Sequence, residues 1–281
     1  MCNVKQFMSY ERVEFTITPP IEGDVGSIPY GIESKSDNGI ITELWVIIGE
    51  EIENKIEESP RYKELLAKGG NPADSLYTAI KEYGIHRAQN YLDRLNFVRD
   101  SCKYKLSNCS LAKLLPTGKI RRTVEGFLCI RYSVGDDFRL DITKSYDEDE
   151  FLNKLYYDYN MGMESQERGD YVSAYKYFYD LLPLRRSSFY RITENADLNI
   201  DLKIIRDGLS HDILTKTNID RARKLLGDDC ITQDGATGQM YVIFNPLNPY
   251  HLDLIKKNMH YVRNSARKYI DNYMVSGGVA P

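Results

Sequence analysis

The sequence predicts an α+β fold: a mixed α/β domain over residues 1–145, a mainly α-helical bundle with a small hairpin insertion over 146–275, and a flexible tail at 276–281. Three observations carry this expectation. Alternating and β-branched apolar runs mark strands in the first half. From about residue 150 the apolar residues recur at helical spacing. A cluster of turn-forming residues interrupts the helical pattern between residues 230 and 245.

In chain order, residues 13–18 alternate apolar and polar and meet Pro19-Pro20, as a half-buried strand would. Residues 39–48 are nearly continuously apolar and β-branched, which predicts a central strand. Residues 50–66 are charged with sparse apolar positions and are predicted helical. Residues 73–98 place Leu76, Ile80, Tyr83, Ala88, Tyr91, Leu92 and Leu95 at helical spacing. Residues 126–133 and 138–142 suggest a strand pair across Gly135-Asp136-Asp137. The acidic stretch 146–150 is the expected boundary.

Beyond it, residues 151–167 predict a helix, stopped at Gly169 and followed by Asp170 as N-cap of a helix over 171–182. Pro183 ends or kinks that helix. A third helix is predicted from Asp201 through Leu209, and a fourth over 219–226 capped by Asn218. Asp234-Gly235-Ala236-Thr237-Gly238 reads as a hairpin turn, with residues 239–244 as its second strand. Asn248-Pro249 opens a last helix to about Tyr273, with proline at its first position.

The bulk properties restrict the function classes. The chain has 281 residues, 42% hydrophobic and 28% charged, with net charge −4. Such an acidic balance argues against a broad basic face for duplex nucleic acid, so nucleic-acid contacts are expected to be local. The five cysteines, Cys2, Cys102, Cys109, Cys129 and Cys230, show no paired spacing for zinc, and reduced, mostly buried thiols are expected. No secretory leader and no membrane-spanning run is visible, which predicts a cytoplasmic protein.

Chemistry is concentrated in Arg206-Asp207-Gly208-Leu209-Ser210-His211, an R-x4-H element. Metal-free RNA cleavage needs a base for the ribose 2′-OH, an acid for the leaving 5′ oxygen and a cation for the phosphoryl oxygens. His211 suits the proton steps because imidazole titrates near working pH. Arg206 suits the phosphate because its fork donates two parallel charge-assisted hydrogen bonds. Asp207 can orient either group, and Ser210 can add a hydrogen bond to phosphate. Five positions apart, Arg206 and His211 lie roughly 140° apart on a regular helix. They converge only through distortion at Gly208 or through a second copy across a two-fold axis.

The element follows a helical pair rich in aromatics: Tyr156, Tyr157, Tyr159, Tyr171, Tyr175, Tyr177, Phe178 and Tyr179. Together these features resemble the HEPN superfamily, whose active members carry R-x4-6-H with Asn, Asp or His after the arginine. Arg206, Asp207 and His211 match that pattern, and Leu209 fits the apolar position before the histidine. The resemblance covers residues 150–275. It implies a HEPN-like helical fold and a metal-independent endoribonuclease that leaves a 2′,3′-cyclic phosphate. It also implies a homodimer with both motifs lining one cleft, in the setting of antiviral defence or toxin–antitoxin systems. The family's inactive members imply the alternative, a dimerisation and binding module with a protein partner at the N-terminal domain. The minimal fold does not include a hairpin near residues 230–244.

Other candidates are weaker. Leu115-Pro116-Thr117-Gly118-Lys119 lacks the frame of a phosphate-binding loop because Ile120 follows the lysine. His86, His251 and His260 form no metal-ligand spacing, and His251 and His260 read as structural. No cofactor and no metal is expected, and no paired-aspartate or glycine-rich signature supports a nucleotide-transferring N-terminal domain. Lys256, Lys257, Arg263, Arg267 and Lys268 give the last helix a basic character, read as a solvated face or as a surface that steers RNA. The tyrosines read chiefly as core and dimer packing.

Overall fold

The computed structural model describes residues 10–23, 25, 28–114, 120–125, 149–183, 191–210, 218–245 and 247–276. The chain divides into two compact units, Met1–Asn153 and Lys154–Pro281. The architecture is mixed α and β, with an antiparallel sheet in the first unit and mainly helices in the second. The strand pair expected over 126–142, the phosphate-loop look-alike at 115–119, most of the expected boundary stretch and the tail beyond residue 276 lie outside the described residues.

The first unit is built on strands β1 (Tyr10–Ile21), β2 (Ile32–Asp37), β3 (Ile40–Ile47), β4 (Lys105–Leu114) and β5 (Ile120–Glu125), in the order β2-β3-β1-β4-β5. Asn38 and Gly39 both take positive φ and close the tight β2–β3 turn. β1 was expected to end at Pro19-Pro20 but continues to Ile21. Its pairing with β3 shifts register between Thr16 and Ile21, so the prolines, which have no N–H to donate, sit at an irregularity in the ladder.

The helix expected over 50–66 is two helices, α1 (Gly49–Glu58) and α2 (Pro60–Ala67). The break falls at Ser59 because Pro60 opens a new helix at its first turn, and the Ser59 hydroxyl accepts the Tyr62 N–H at 3.2 Å. The long helix α3 (Pro72–Val98) packs on the sheet. Gly84 is the point of closest approach: a Cβ there would lie 2.7 Å from Cβ of Val13. Val13, Phe15, Ile17, Leu44, Val46, Leu106 and Leu111 are among the strand residues of the core. A second set of strand side chains forms a polar ladder. The Arg12 guanidinium lies 3.9 Å over the Trp45 ring, and Arg12 and Arg122 each donate to Glu14 at 2.8 Å.

The second unit holds most of α4 (Glu150–Glu167), then α5 (Tyr171–Asp180), α6 (Ala196–Ser210), α7 (Ile219–Leu226), the hairpin β6 (Ile231–Gln233) and β7 (Met240–Val242), and α8 (Pro249–Val275). Gly169 takes positive φ, and Asp170 caps α5 by accepting the Ser173 N–H at 3.1 Å. Asn248 caps α8 through the Tyr250 N–H, with Pro249 behind it. Two expectations fail locally. α6 starts at Ala196 rather than Asp201, with Asn195 accepting the Leu198 N–H at 3.1 Å. Asn218 precedes α7 but makes no side-chain cap, because its backbone is already helical. Tyr156, Tyr159, Tyr175 and Phe178 are fully buried, in keeping with packing rather than a surface platform.

Candidate functional site

Residues 206–210 of the R-x4-H element are the last described residues of α6. Asn199, in the first turns, ties down the preceding chain by accepting the N–H groups of Ile192 and Thr193. Leu202, Ile204 and Ile205 are fully buried, and Tyr175 donates its hydroxyl to the Leu202 carbonyl at 2.9 Å. The burial continues through Arg206, Asp207 and Gly208, and Leu209 and Ser210 beyond them are partly exposed.

Two of the expected polar residues meet there. Arg206 is 8% exposed and Asp207 6%. Nη1 of Arg206 stands 3.4 Å from Oδ1 of Asp207, and Nη2 stands 3.6 Å from Oδ1 of Asp180 at the end of α5. Ser210 is the last residue of α6 and is partly exposed. His211 lies outside the described residues, so its distance from Arg206 is not part of this geometry.

The surroundings add groups the sequence did not single out for the site. Burial pushes the Tyr179 hydroxyl above its ordinary range; Asp207 adds to the shift, Arg206 opposes it and Asp180 adds again. Tyr179 therefore stays protonated and neutral beside the ion cluster. Burial also raises Asp158, against the pull of Lys154, and Asp180 adds to the rise. Asp180 had one available signal: a carboxylate in the last turn of a helix opposes the macrodipole, and a nearby cation relieves that conflict. Here the cation is Arg206.

The hairpin closes the site from the side of Gly208. Phe244 donates its N–H to the Gly208 carbonyl at 3.2 Å. The Phe244 ring lies 4.8 Å from the buried His251 ring. Nδ1 of His251 accepts the Asn245 N–H at 3.1 Å, and Nε2 lies 3.0 Å from the Leu226 carbonyl. These partners place the ring proton on Nε2. Cys230 Sγ lies 3.4 Å from the same Nε2. A nitrogen that already carries a proton is no base for a thiol, and burial followed by Asp229 pushes the Cys230 thiol up. The pair is a structural brace, in agreement with the expectation for His251, and not an activated cysteine.

Elsewhere, burial and Arg87 lower the His86 imidazole, so it is neutral. No cluster of three or more His, Cys, Asp or Glu side chains suited to a metal occurs among the described residues. No described helix is long and apolar enough to cross a membrane. Neither a family model, nor a characterised protein, nor a solved structure matches this chain.

Proposed function

We propose that the helical unit is a metal-independent endoribonuclease of HEPN type, with Arg206 as phosphate clamp. The observation that carries this reading is that Arg206 and Asp207 of the R-x4-H element meet near the end of α6, with Nη1 of Arg206 3.4 Å from Oδ1 of Asp207. A phosphate offers such a guanidinium two parallel acceptors at roughly 2.7–2.9 Å. Asp207 then orients the guanidinium, Ser210 donates to a phosphoryl oxygen, and His211 moves protons. The 2′ oxygen loses its proton and bonds to phosphorus, the bond to the 5′ oxygen breaks, and that oxygen takes up a proton. The products are a 2′,3′-cyclic phosphate and a 5′-hydroxyl. A homodimer that faces two motifs into one cleft supplies the second imidazole this scheme uses.

The test is cleavage of single-stranded RNA in EDTA by the full chain, compared with Arg206→Lys and His211→Ala. Lysine keeps the charge but not the fork, so both variants are expected to lose at least about a hundredfold in rate. Cleavage that survives both changes, or that disappears on chelation, rejects the assignment.

A second reading is favoured by one specific observation: Arg206 is nearly buried, with the carboxylates of Asp207 and Asp180 beside it. In that reading the module is catalytically inactive, the ion cluster serves stability, and the chain acts by dimerising and binding a partner. It predicts no cleavage of RNA and a loss of stability, not of activity, in Arg206 variants.

A further inference from the structure

Helix α8 buries one face and leaves the other strongly basic. His251, Ile255, Met259, Val262, Ala266 and Ile270 point into the bundle. Between Asp253 and Asp271 the helix has no acidic residue, but it carries Lys256, Lys257, His260, Arg263, Arg267 and Lys268. With 3.6 residues per turn these six positions fall within an arc of roughly 140°, in which Arg263 donates to the buried Tyr159 hydroxyl at 3.4 Å and Arg267 lies 4.0 Å from Asp271. They occupy successive turns over roughly 18 Å, as Lys256 with Lys257, then His260, then Arg263, then Arg267 with Lys268. Lys256, Lys257, His260 and Lys268 are exposed.

This concentration occurs in a chain whose net charge is −4, so it is local and not a reflection of overall composition. Rings stand beside the cations. The Lys256 ammonium lies 5.0 Å over the Tyr171 ring, and the His260 and Tyr261 rings are 3.8 Å apart. Tyr171 and Tyr261 are both partly exposed. A row of cations at turn spacing with aromatic faces at its edge matches the backbone and bases of a single strand, where charge tracks phosphates and rings stack on bases. A lipid surface is a poorer match. The apolar face of α8 is already used in the bundle, and no large apolar side chain is exposed between Lys256 and Lys268.

We propose that the exposed face of α8 is a binding track for single-stranded RNA. The choice of RNA rests on the nuclease reading, but binding along this helix does not require cleavage. The test uses a short fluorescein-labelled 2′-O-methyl oligouridylate, which lacks the free 2′-OH and cannot be cut by that route. Anisotropy is measured over a salt series for the full chain and for a variant carrying Lys256→Gln, Lys257→Gln and Lys268→Gln. All three positions are exposed, and thermal melting confirms that the variant is folded.

The expected result is about tenfold or more weaker binding at low salt, with the slope of log affinity against log salt reduced by roughly 2, at about 0.7 per lost phosphate contact. Equal affinity and slope in the variant overturns the track. So does a wild type that ignores the oligonucleotide at low salt, or that binds phosphatidylserine vesicles in its place. Cleavage of unmodified RNA is scored separately. A variant that still binds while cleavage depends on Arg206 removes the track and keeps the nuclease. A wild type that binds through α8 but never cuts removes the nuclease and keeps the track.

Discussion

Gly208 and Val242 are packed so closely that a Cβ on the glycine would lie 2.6 Å from Cγ1 of the valine. The glycine is in the middle of the R-x4-H element, and the valine ends the second strand of the hairpin. The contact therefore fixes where the inserted hairpin meets the helix that carries Arg206 and Asp207.

Gly208→Ala separates packing from propensity. Alanine favours a helix over glycine by about 1 kcal/mol. Overpacking a filled site costs about 1–3 kcal/mol, and Phe244, at 3.3 Å from the same Cβ position, limits how far Val242 can yield. The expected outcome is net destabilisation in urea, with tertiary signal from the hairpin lost first. A raised urea midpoint would show that the hairpin yields freely and is no brace for the motif.

Glu14 and Glu53 predict opposite pH behaviour within one unit. Burial pushes Glu14 up, but hydrogen bonds from Arg122 and Arg12 outweigh it and leave the carboxyl below its ordinary 4.5. Its contribution is present above that value and is lost as pH falls through the lower folded value. Glu53 is raised from the same 4.5, first by burial and then by Glu57, against the Tyr10 N–H that it accepts at 2.9 Å. Its contribution is present at acid pH and is lost as pH rises through the higher folded value. Glu14→Gln should lower the melting temperature near neutral pH, and the gap should close on acidification. Glu53→Gln keeps an acceptor for Tyr10 and should raise the melting temperature near neutral pH, with no gain in acid. Shifts of the same sign in both variants at neutral pH would contradict the local electrostatics.

The legible elements are those whose local chemistry and burial agree. α3 was readable from apolar spacing, α5 from Gly169 and Asp170, and α8 from Asn248 and Pro249. The hairpin turn was readable from Asp234, whose carboxylate accepts the N–H groups of Ala236 and Thr237. β4 was not readable. Its sequence, KLSNCSLAKL, has no β-branched residue, and it becomes a strand by pairing with β1 on one side and β5 on the other. β2, IESKSD, is a polar edge strand whose composition resembles a loop. At the site, spacing along α6 identified Arg206 and Asp207. It carried no information about Asp180 and Tyr179, because those groups arrive from α5 by tertiary packing.

The remaining question at that site is whether the ion cluster holds the fold or holds Arg206 ready for an outside anion, and a double-mutant cycle answers it. Arg206→Met keeps most of the side-chain volume but leaves Asp207 buried without the cation. Breaking a buried pair this way costs about 3 kcal/mol, and the 3.4 Å contact argues for somewhat less. Asp207→Asn is expected to cost about 1–2 kcal/mol, and the double variant less than the sum, with a coupling of about 1 kcal/mol in urea unfolding. Asp180→Asn should matter little, because that carboxylate is 49% exposed. A large coupling with no effect of either change on RNA turnover favours the inactive module. Negligible coupling, with Arg206→Met stable but unable to cut RNA, means the carboxylates only position a guanidinium whose working partner is the phosphate.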